Sequence, residues 1–225
     1  MRKDYTDITA ILDRSGSMTD GRKDMEAMSG YNSFIAEQKK VGGKCCITLI
    51  LFDSENRYQV VYAGKDVQEV PELTSSIYFA RGMTPYLDCL GRAIVDTGKR
   101  LEETQEQDRP DKVIFVIITD GLENASTNFT KSQIREKIEH QQTKYGWDFL
   151  FLGADFDAVA EGTSMGIQSM YTATMDSSRM GDSIRTTSSN IKAYRSSGDK
   201  SAISYTKAQR EELMKKKSST SPDGN

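Results

Sequence analysis

The chain has 225 residues, with 30 Lys and Arg against 33 Asp and Glu, and a formal net charge of −3. This length suits one globular domain with or without a tail, and the charge balance argues against a protein that coats nucleic acid or an anionic membrane. No apolar run approaches the roughly 18 residues of a membrane span, and Ile8 to Leu12 is too short for a signal peptide. We therefore expect a soluble, cytoplasmic protein.

The three cysteines and the single histidine narrow the chemistry. Cys45 and Cys46 are neighbours in an apolar run, and Cys89 has apolar neighbours at helical spacing, so we expect buried, reduced thiols. His140 lies in a polar stretch, which predicts a surface position. Mechanisms in which a Ser or Cys nucleophile needs a histidine base are therefore disfavoured, as is histidine-rich zinc chemistry.

The first half of the chain alternates apolar and amphipathic segments. Ile8 to Leu12 predicts a strand that ends at Asp13, and residues 21–40 carry apolar side chains at three- and four-residue steps, which predicts a helix. The apolar run Cys45 to Phe52 predicts a strand that is covered on both faces. Tyr58 to Tyr62 follows a polar turn and predicts an edge strand that pairs back in a hairpin.

The second half continues this alternation. Pro85 opens a helix whose apolar stripe reaches Leu101, and Val113 to Ile118 is a β-branched strand. Thr130 and Gln133 form a capping box for the next helix, which we expect to run to about Lys144. The last predicted elements are a strand, a short helix and an edge strand, at Phe149 to Leu152, Asp155 to Gly162 and Gln168 to Thr172.

Strands that alternate with helices in this way predict right-handed crossovers and an α/β fold, with a mostly parallel sheet between layers of helices. We expect the domain to occupy residues 1–195, with a last helix near Ser177 to Tyr194. Residues 196–225 form a basic, Ser-rich tail, with a short helix at Thr206 to Lys217 and a disordered end at Ser218 to Asn225.

Three loops fall at the carboxyl ends of predicted strands or at a helix entrance, where ligands collect in parallel sheets. Their candidate metal ligands are Asp13, Ser15, Ser17, Thr84 and Asp120. Each loop also has a structural explanation, since Thr84 before Pro85 suits a helix N-cap and Asp120-Gly121 suits a turn. Together these side chains form an all-oxygen set that suits Mg²⁺, Mn²⁺ or Ca²⁺, and a cation would relieve the repulsion between the two carboxylates.

The motif Asp13-x-Ser15-x-Ser17, with the later threonine and aspartate in order, resembles the metal-ion-dependent adhesion site of the von Willebrand factor A domain. The stretch Ile11 to Met18 is most similar to intracellular prokaryotic and phage members of that family. The resemblance covers Tyr5 to Thr172. It implies a Rossmann-like, mostly parallel central sheet with one antiparallel edge strand and helices on both faces.

The resemblance also assigns roles to the candidate ligands. It implies three direct ligands, Ser15, Ser17 and Thr84. Asp13 and Asp120 would then bind largely through water or hydrogen-bond the directly ligating groups. Many family members have glycine where this chain has Met83, which predicts a less mobile loop around an intact threonine. Glu123 and Asn124 follow the third loop and are expected at the rim of the site.

A binding function follows from this resemblance. Mostly neutral ligands leave the cation Lewis acidic, so an acidic residue of a protein partner can complete its coordination. We expect a non-enzymatic, metal-dependent protein-binding module with no nucleic-acid or membrane partner. In many prokaryotic family members, the partner is an ATPase or a kinase that is encoded nearby.

Two alternative functions remain open. A structural or assembly component, for example of a phage particle, would use the cation only for stability. A metal-dependent phosphohydrolase of the haloacid-dehalogenase type needs a second aspartate two residues after Asp13, where this chain has Ser15, and no Gly-rich phosphate loop stands out. The Lys215 to Lys217 cluster suits a solubilising chain end better than a nucleic-acid site.

Overall fold

The computed structural model describes residues 2–216, which form a six-stranded sheet. The strands are β1 Arg2–Asp13, β2 Lys44–Phe52, β3 Gln59–Asp66, β4 Pro110–Thr119, β5 Asp148–Ala154 and β6 Thr172–Met175. Their order across the sheet is β3-β2-β1-β4-β5-β6. The edge strand β3 pairs antiparallel with β2, and the other four pairings are parallel. This sheet confirms the predicted α/β, Rossmann-like architecture.

Helices cover both faces of this sheet. In the described part of the chain they are α1 Lys23–Lys39, α2 Tyr86–Glu103, α3 Lys131–Tyr145, α4 Ala158–Ser164, α5 Met180–Ser197 and α6 Lys207–Leu213. The crossover from β1 to β2 runs in one direction along the sheet, and those from β4 to β6 run in the other. Because such crossovers are right-handed, they place their helices on opposite faces. On these faces α2 packs against α3, and α5, which follows the last strand and lies in no crossover, packs against α1.

The burial of the residues in each strand depends on the position of that strand in the sheet. Every residue of β2 from Cys45 to Phe52 is buried, as are Val113 to Thr119 of β4, because helices cover both faces of the central strands. The edge strand β3 is instead partly exposed along its whole length. Thr130 caps α3 with the reciprocal hydrogen bonds of a capping box, as predicted.

Several predicted boundaries differ from the structure, among them those of α2, α4 and the last strand. The N-cap of α2 is Pro85, not Thr84. Helix α4 begins at Ala158 because Asp157 caps it, accepting a hydrogen bond from Ala160 N at 2.9 Å. The last strand begins at Thr172, where the predicted strand ends, because a 3₁₀ turn over Ser169–Tyr171 precedes the pairing with β5.

The segment after α5 packs on the sheet domain. Ile203, Tyr205 and Leu213 are buried, and Asp176 N donates to Leu213 O at 2.9 Å. The packed chain thus continues to α6, and a domain boundary at residue 195 stays a prediction. The disordered end predicted for residues 218–225 lies outside the described residues.

The cysteines and the histidine lie where the sequence predicts. Cys45, Cys46 and Cys89 are buried and form no disulfide, and burial raises the pKa of the Cys89 thiol well above its usual value. His140 is exposed on α3. Within residues 2–216, every helix is too short or too polar to cross a bilayer.

Candidate metal centre

The candidate ligands come together because β1 and β4 are adjacent parallel strands. Leu12 pairs with Ile118, so Asp13 and Asp120 emerge side by side at the carboxyl edge of the sheet. Backbone hydrogen bonds attach the loop before α2 to the loop after β1. Gly16 N donates to Gly82 O at 2.9 Å, and Arg81 N donates to Arg14 O at 2.8 Å.

The carboxylate of Asp13 is buried and held in a fixed orientation. The residue is 1 % exposed. Its Oδ1 accepts a hydrogen bond from Ser15 N at 2.7 Å, and its Oδ2 accepts one from Thr119 Oγ1 at 2.6 Å. The pKa of Asp13 is raised to about 7, because burial, helped by the charge of Asp120, outweighs the lowering effect of the hydrogen bonds from Thr119 and Ser15. A cation at this edge would favour the ionised carboxylate.

The two serine hydroxyls and Asp120 form a continuous hydrogen-bonded row. Ser17 Oγ donates to Asp120 Oδ1 at 2.7 Å, and it lies 3.1 Å from Ser15 Oγ. Because the Ser17 proton points to Asp120, an oxygen lone pair of Ser17 remains available for a cation. Hydroxyl oxygens of this kind are suitable ligands for a hard metal ion.

The loop before α2 brings Thr84 next to Gly121, the residue after Asp120. A Cβ added to Gly121 would lie 3.3 Å from Thr84 Oγ1, so only glycine allows this approach without a shift. Asn124 Oδ1 accepts a hydrogen bond from Thr84 N at 2.9 Å, and Asn124 N donates to Thr84 O at 3.3 Å. Asn124 therefore fixes the Thr84 loop, a role that the sequence analysis did not identify.

Glu123 stabilises the start of α2. Its Oε2 accepts a hydrogen bond from Leu87 N at 2.9 Å, and its Oε1 accepts one from Ser126 N at 2.6 Å. The Glu123 carboxylate thus accepts hydrogen bonds from backbone N–H groups around the site.

Met83 fits the loop because its side chain points outward and its backbone is anchored. Met83 is 53 % exposed, and its N donates to Ser54 Oγ at 2.8 Å. The preceding Gly82 has φ of +69°, and a Cβ there would lie 2.5 Å from Ser54 Oγ. Gly82 rather than residue 83 therefore provides the conformational freedom that this loop needs.

A buried ion pair under the loops also escaped the sequence analysis. Arg14 Nε lies 2.5 Å from Asp53 Oδ2, and the two side chains are 1 % and 0 % exposed. Arg81 Nε contacts the same oxygen at 3.2 Å. This pair joins the loops that follow β1 and β2. The sequence signal that could have indicated this pair is Asp53, which directly follows the strand β2 at the same edge of the sheet as Arg14.

Lys23 is a further residue at the site that the sequence did not reveal. Its Nζ lies 2.5 Å from Asp120 Oδ2. The periodicity of residues 21–40 placed Lys23 inside a helix, whereas it is the first residue of α1 and turns toward the sheet edge. No local pattern indicates this contact, because the partners are far apart in the sequence.

The donor set fits a hard divalent cation. It contains two carboxylates and three hydroxyls, and neutral or anionic oxygen ligands are the ones preferred by Mg²⁺, Mn²⁺ and Ca²⁺. No group of three or more His, Cys, Asp or Glu suited to a metal is found between residues 2 and 216. The ligand roles of the five residues stay a prediction.

The sheet order and its oxygen-rich edge define a Rossmann-like α/β domain with a candidate cation site. No protein-family model matches the chain, and no curated protein matches its sequence. Solved structures do match it. The von Willebrand factor type A protein of Catenulispora acidiphila has 15 % identity and a TM-score of 0.54, over 85 % of this chain and 42 % of that one.

Two further structures support the same fold. Proximal thread matrix protein 1 of the mussel byssus has 13 % identity and a TM-score of 0.55, over 80 % of this chain and 44 % of that one. The manganese-loaded TRAP protein of Plasmodium vivax has 12 % identity and a TM-score of 0.53, over 82 % of this chain and 72 % of that one. The chain has the von Willebrand factor A fold, as the resemblance implies. It spans less than half of the mussel and Catenulispora chains.

Proposed function

We propose that the chain is a metal-dependent protein-binding module, in which a divalent cation at the sheet edge receives an acidic side chain of a partner. The observation that carries this proposal is the hydrogen-bonded row in which Ser17 Oγ lies 2.7 Å from Asp120 Oδ1 and 3.1 Å from Ser15 Oγ. A further structure of the mussel protein has a zinc-occupied adhesion motif, at 17 % identity and a TM-score of 0.50. We infer a similar use of the motif here.

Some residues of the site would contact the cation directly, and others would act on it indirectly. Ser15, Ser17 and Thr84 would hold the cation through hydroxyl oxygens. Asp13 and Asp120 would act largely through water and through hydrogen bonds to the serines. Bound in this way, Mg²⁺, or Mn²⁺ or Ca²⁺ in its place, supplies a Lewis-acidic position for one carboxylate oxygen of the partner.

The surroundings of the site favour a protein partner over a small anion. Met83 and Leu122 are 53 % and 55 % exposed, and they lie directly beside Thr84 and Gly121 in the two loops that meet at the site. Large exposed apolar side chains around a charged centre are typical of protein interfaces. The partner surface would thus present an acidic residue with apolar neighbours.

The remaining expectations belong to the same proposal. We infer a cytoplasmic, prokaryotic or phage setting from the similarity of Ile11 to Met18 to such family members, with an ATPase or a kinase as one form of partner. We propose binding rather than catalysis, because Ser15 stands where a haloacid-dehalogenase-type enzyme needs its acid-base aspartate.

Metal-dependent capture tests this function. The tagged chain is incubated with native-host lysate in Mg²⁺ or in EDTA, alongside Asp13→Ala and the control Asp108→Ala, which changes an exposed aspartate away from the site. We expect a protein that is retained by the wild type and by Asp108→Ala in Mg²⁺ only. Asp13→Ala should lose it, because the hydrogen bonds that orient Ser15 and Thr119 disappear.

Equal capture in all of these conditions would contradict the proposal. A second outcome would favour the assembly alternative: EDTA lowers the melting temperature of the chain, yet no captured protein depends on metal. Thermal melts of the same samples separate these outcomes, because a bound cation raises stability in proportion to the logarithm of its concentration over its Kd.

A further inference from the structure

Lys23 places a positive charge at the candidate metal centre. Its Nζ lies 2.5 Å from Asp120 Oδ2, and the two side chains are 11 % and 0 % exposed. Oδ1 of Asp120 accepts the Ser17 hydroxyl, whereas Oδ2 is buried and accepts no hydrogen bond of normal geometry. The ammonium of Lys23 therefore balances the carboxylate oxygen that hydrogen bonds leave unsatisfied.

The position of Lys23 in its helix is unfavourable by itself. Lys23 is the first residue of α1, where the helix dipole favours anions and disfavours cations. The chain enters this helix through Gly21 and Arg22, with φ of 61° and 62°, and the left-handed region is costly for arginine. The ion pair with Asp120 is a favourable interaction that opposes the unfavourable helix dipole at this position.

Lys23 and a divalent cation would neutralise the same negative charges, those of the carboxylates at the site. Asp13 is 1 % exposed and the side chain of Asp120 is 0 % exposed, so their charges are poorly screened by solvent. One ammonium balances one of the two carboxylates. A divalent cation balances both, and it then lies close to a lysine whose charge repels it.

We infer that Lys23 is an internal competitor of the metal: its ammonium pairs with Asp120 and leaves Asp120 when the cation binds. This inference rests on the proposed function of the site. Lys23 sets the metal affinity in this scheme, and by linkage the cation weakens the Lys23–Asp120 pair by the same factor.

Calorimetric titration with Mn²⁺ at pH 7 tests the competition. We expect Lys23→Met to bind Mn²⁺ about tenfold more tightly than the wild type, which lies within the usual range of coupling between two ligands. Lys23→Arg keeps the charge and should stay near the wild-type affinity. Arg22→Gln is the matched control, because it removes the same charge one residue away, from an exposed side chain that contacts Met25.

A measurement on the wild type avoids dependence on any variant. Amine acylation followed by mass spectrometry reports the accessibility of each lysine. Labelling of Lys23 should rise severalfold when Mn²⁺ is added, because the ammonium leaves its buried partner. Lys207 is the internal reference, since its side chain is 92 % exposed, and its labelling should stay constant.

The outcomes distinguish this inference from the proposed function. If the wild type binds Mn²⁺ but Lys23→Met binds no more tightly, or Arg22→Gln gains as much, the competition is refuted while the metal site stands. Unchanged Lys23 labelling in Mn²⁺ refutes it as well. If the wild type binds no Mn²⁺ and captures no partner, the proposed function itself fails.

Discussion

At the scale of single residues, Asp88 organises the loop that follows β4 although it lies outside the metal centre. The residue is 5 % exposed in the first turn of α2. Its Oδ1 accepts hydrogen bonds from Asn128 N at 2.8 Å and Phe129 N at 2.9 Å, and its Oδ2 accepts one from Thr127 N at 2.9 Å. Asp88 thereby joins this loop to the helix that begins beside Thr84.

Replacing Asp88 with asparagine should destabilise the fold. An amide group offers one acceptor oxygen instead of two and turns its own N–H groups toward backbone N–H donors. We expect Asp88→Asn to lower the free energy of unfolding by about 2–4 kcal/mol, measured by urea denaturation at pH 7. Asp108→Asn, at an exposed position, should change it by less than about 0.5 kcal/mol.

The same carboxylate should make stability depend on acid pH. Burial by itself raises the pKa of Asp88, but the backbone hydrogen bonds of Thr127, Phe129 and Asn128 and the charge of Arg57 outweigh burial and lower the pKa. A lowered pKa adds stability above the unfolded-state value near about 4, and this contribution is lost as pH falls through the folded-state pKa. The stability gap between wild type and Asp88→Asn should therefore narrow from pH 7 to pH 3, and a constant gap would contradict this.

The sequence could predict the position of a residue when that position depends on its own strand or helix. It could not predict contacts between segments that are far apart in the chain. Asp13 and Asp120 were predictable neighbours, because each follows an apolar strand and parallel strands end at one edge. The contacts of Lys23, Asp88 and Asn124 were not, because their partners are separated from them by about 40 residues or more. Only the assembled loops bring such groups together.

At the scale of elements, α1 and α5 approach closely through two glycines. A Cβ added to Gly30 would lie 3.0 Å from Ile184 Cβ and 3.1 Å from the Cα of Gly181. Buried polar contacts reinforce this packing, since Gln38 Nε2 donates to Ser188 O at 3.0 Å and Arg195 Nη1 donates to Gln38 Oε1 at 2.9 Å. The two helices therefore have one well-defined relative position.

Adding one methyl group between these helices should be destabilising. Alanine has the better helix propensity, but in Gly30→Ala the helices must separate, and we expect a net loss of about 1–3 kcal/mol in the free energy of unfolding. Gly98→Ala in α2 is the matched control, since nothing lies within 4 Å of its added Cβ. It should raise stability by about 0.5–1 kcal/mol. Thermal and urea unfolding measure both, and equal effects would refute the close packing.

The sequence predicted both helices but could not predict that they pair. The apolar spacing of residues 21–40 predicts a buried face for α1, but it cannot indicate a contact between Gln38 and Ser188, which are 150 residues apart. Nothing in a helical pattern states which other helix it meets.

At the scale of the whole molecule, the segment after α5 is part of the packed structure. Tyr205 is 3 % exposed, and its hydroxyl lies 2.7 Å from Thr187 Oγ1 of α5. Polar composition alone predicted a tail here, because the few apolar residues are scattered among serines and lysines. Three of these apolar residues, Ile203, Tyr205 and Leu213, are nevertheless buried.

Removing the Tyr205 side chain should therefore affect the entire domain. We expect Tyr205→Ala to lower the free energy of unfolding by about 3–5 kcal/mol, because it leaves a cavity and removes the Thr187 contact. Tyr145→Ala, at a site that is 53 % exposed, should cost less than about 1 kcal/mol. Calorimetric melting of both variants checks this, and a small effect of Tyr205→Ala would indicate that the segment folds independently of the sheet.

The two edge strands of the sheet, β3 and β6, also affect whether copies of the chain aggregate at high concentration. At β3 the ladder to β2 shifts register twice, and at the other border β6 has four residues and is contacted by α6. Short, irregular or covered borders are poor templates for the strand of a neighbouring molecule. Concentrated solutions of this chain should accordingly resist fibril growth by strand addition. Association would then be limited to specific contacts at the loops that follow the carboxyl ends of the strands.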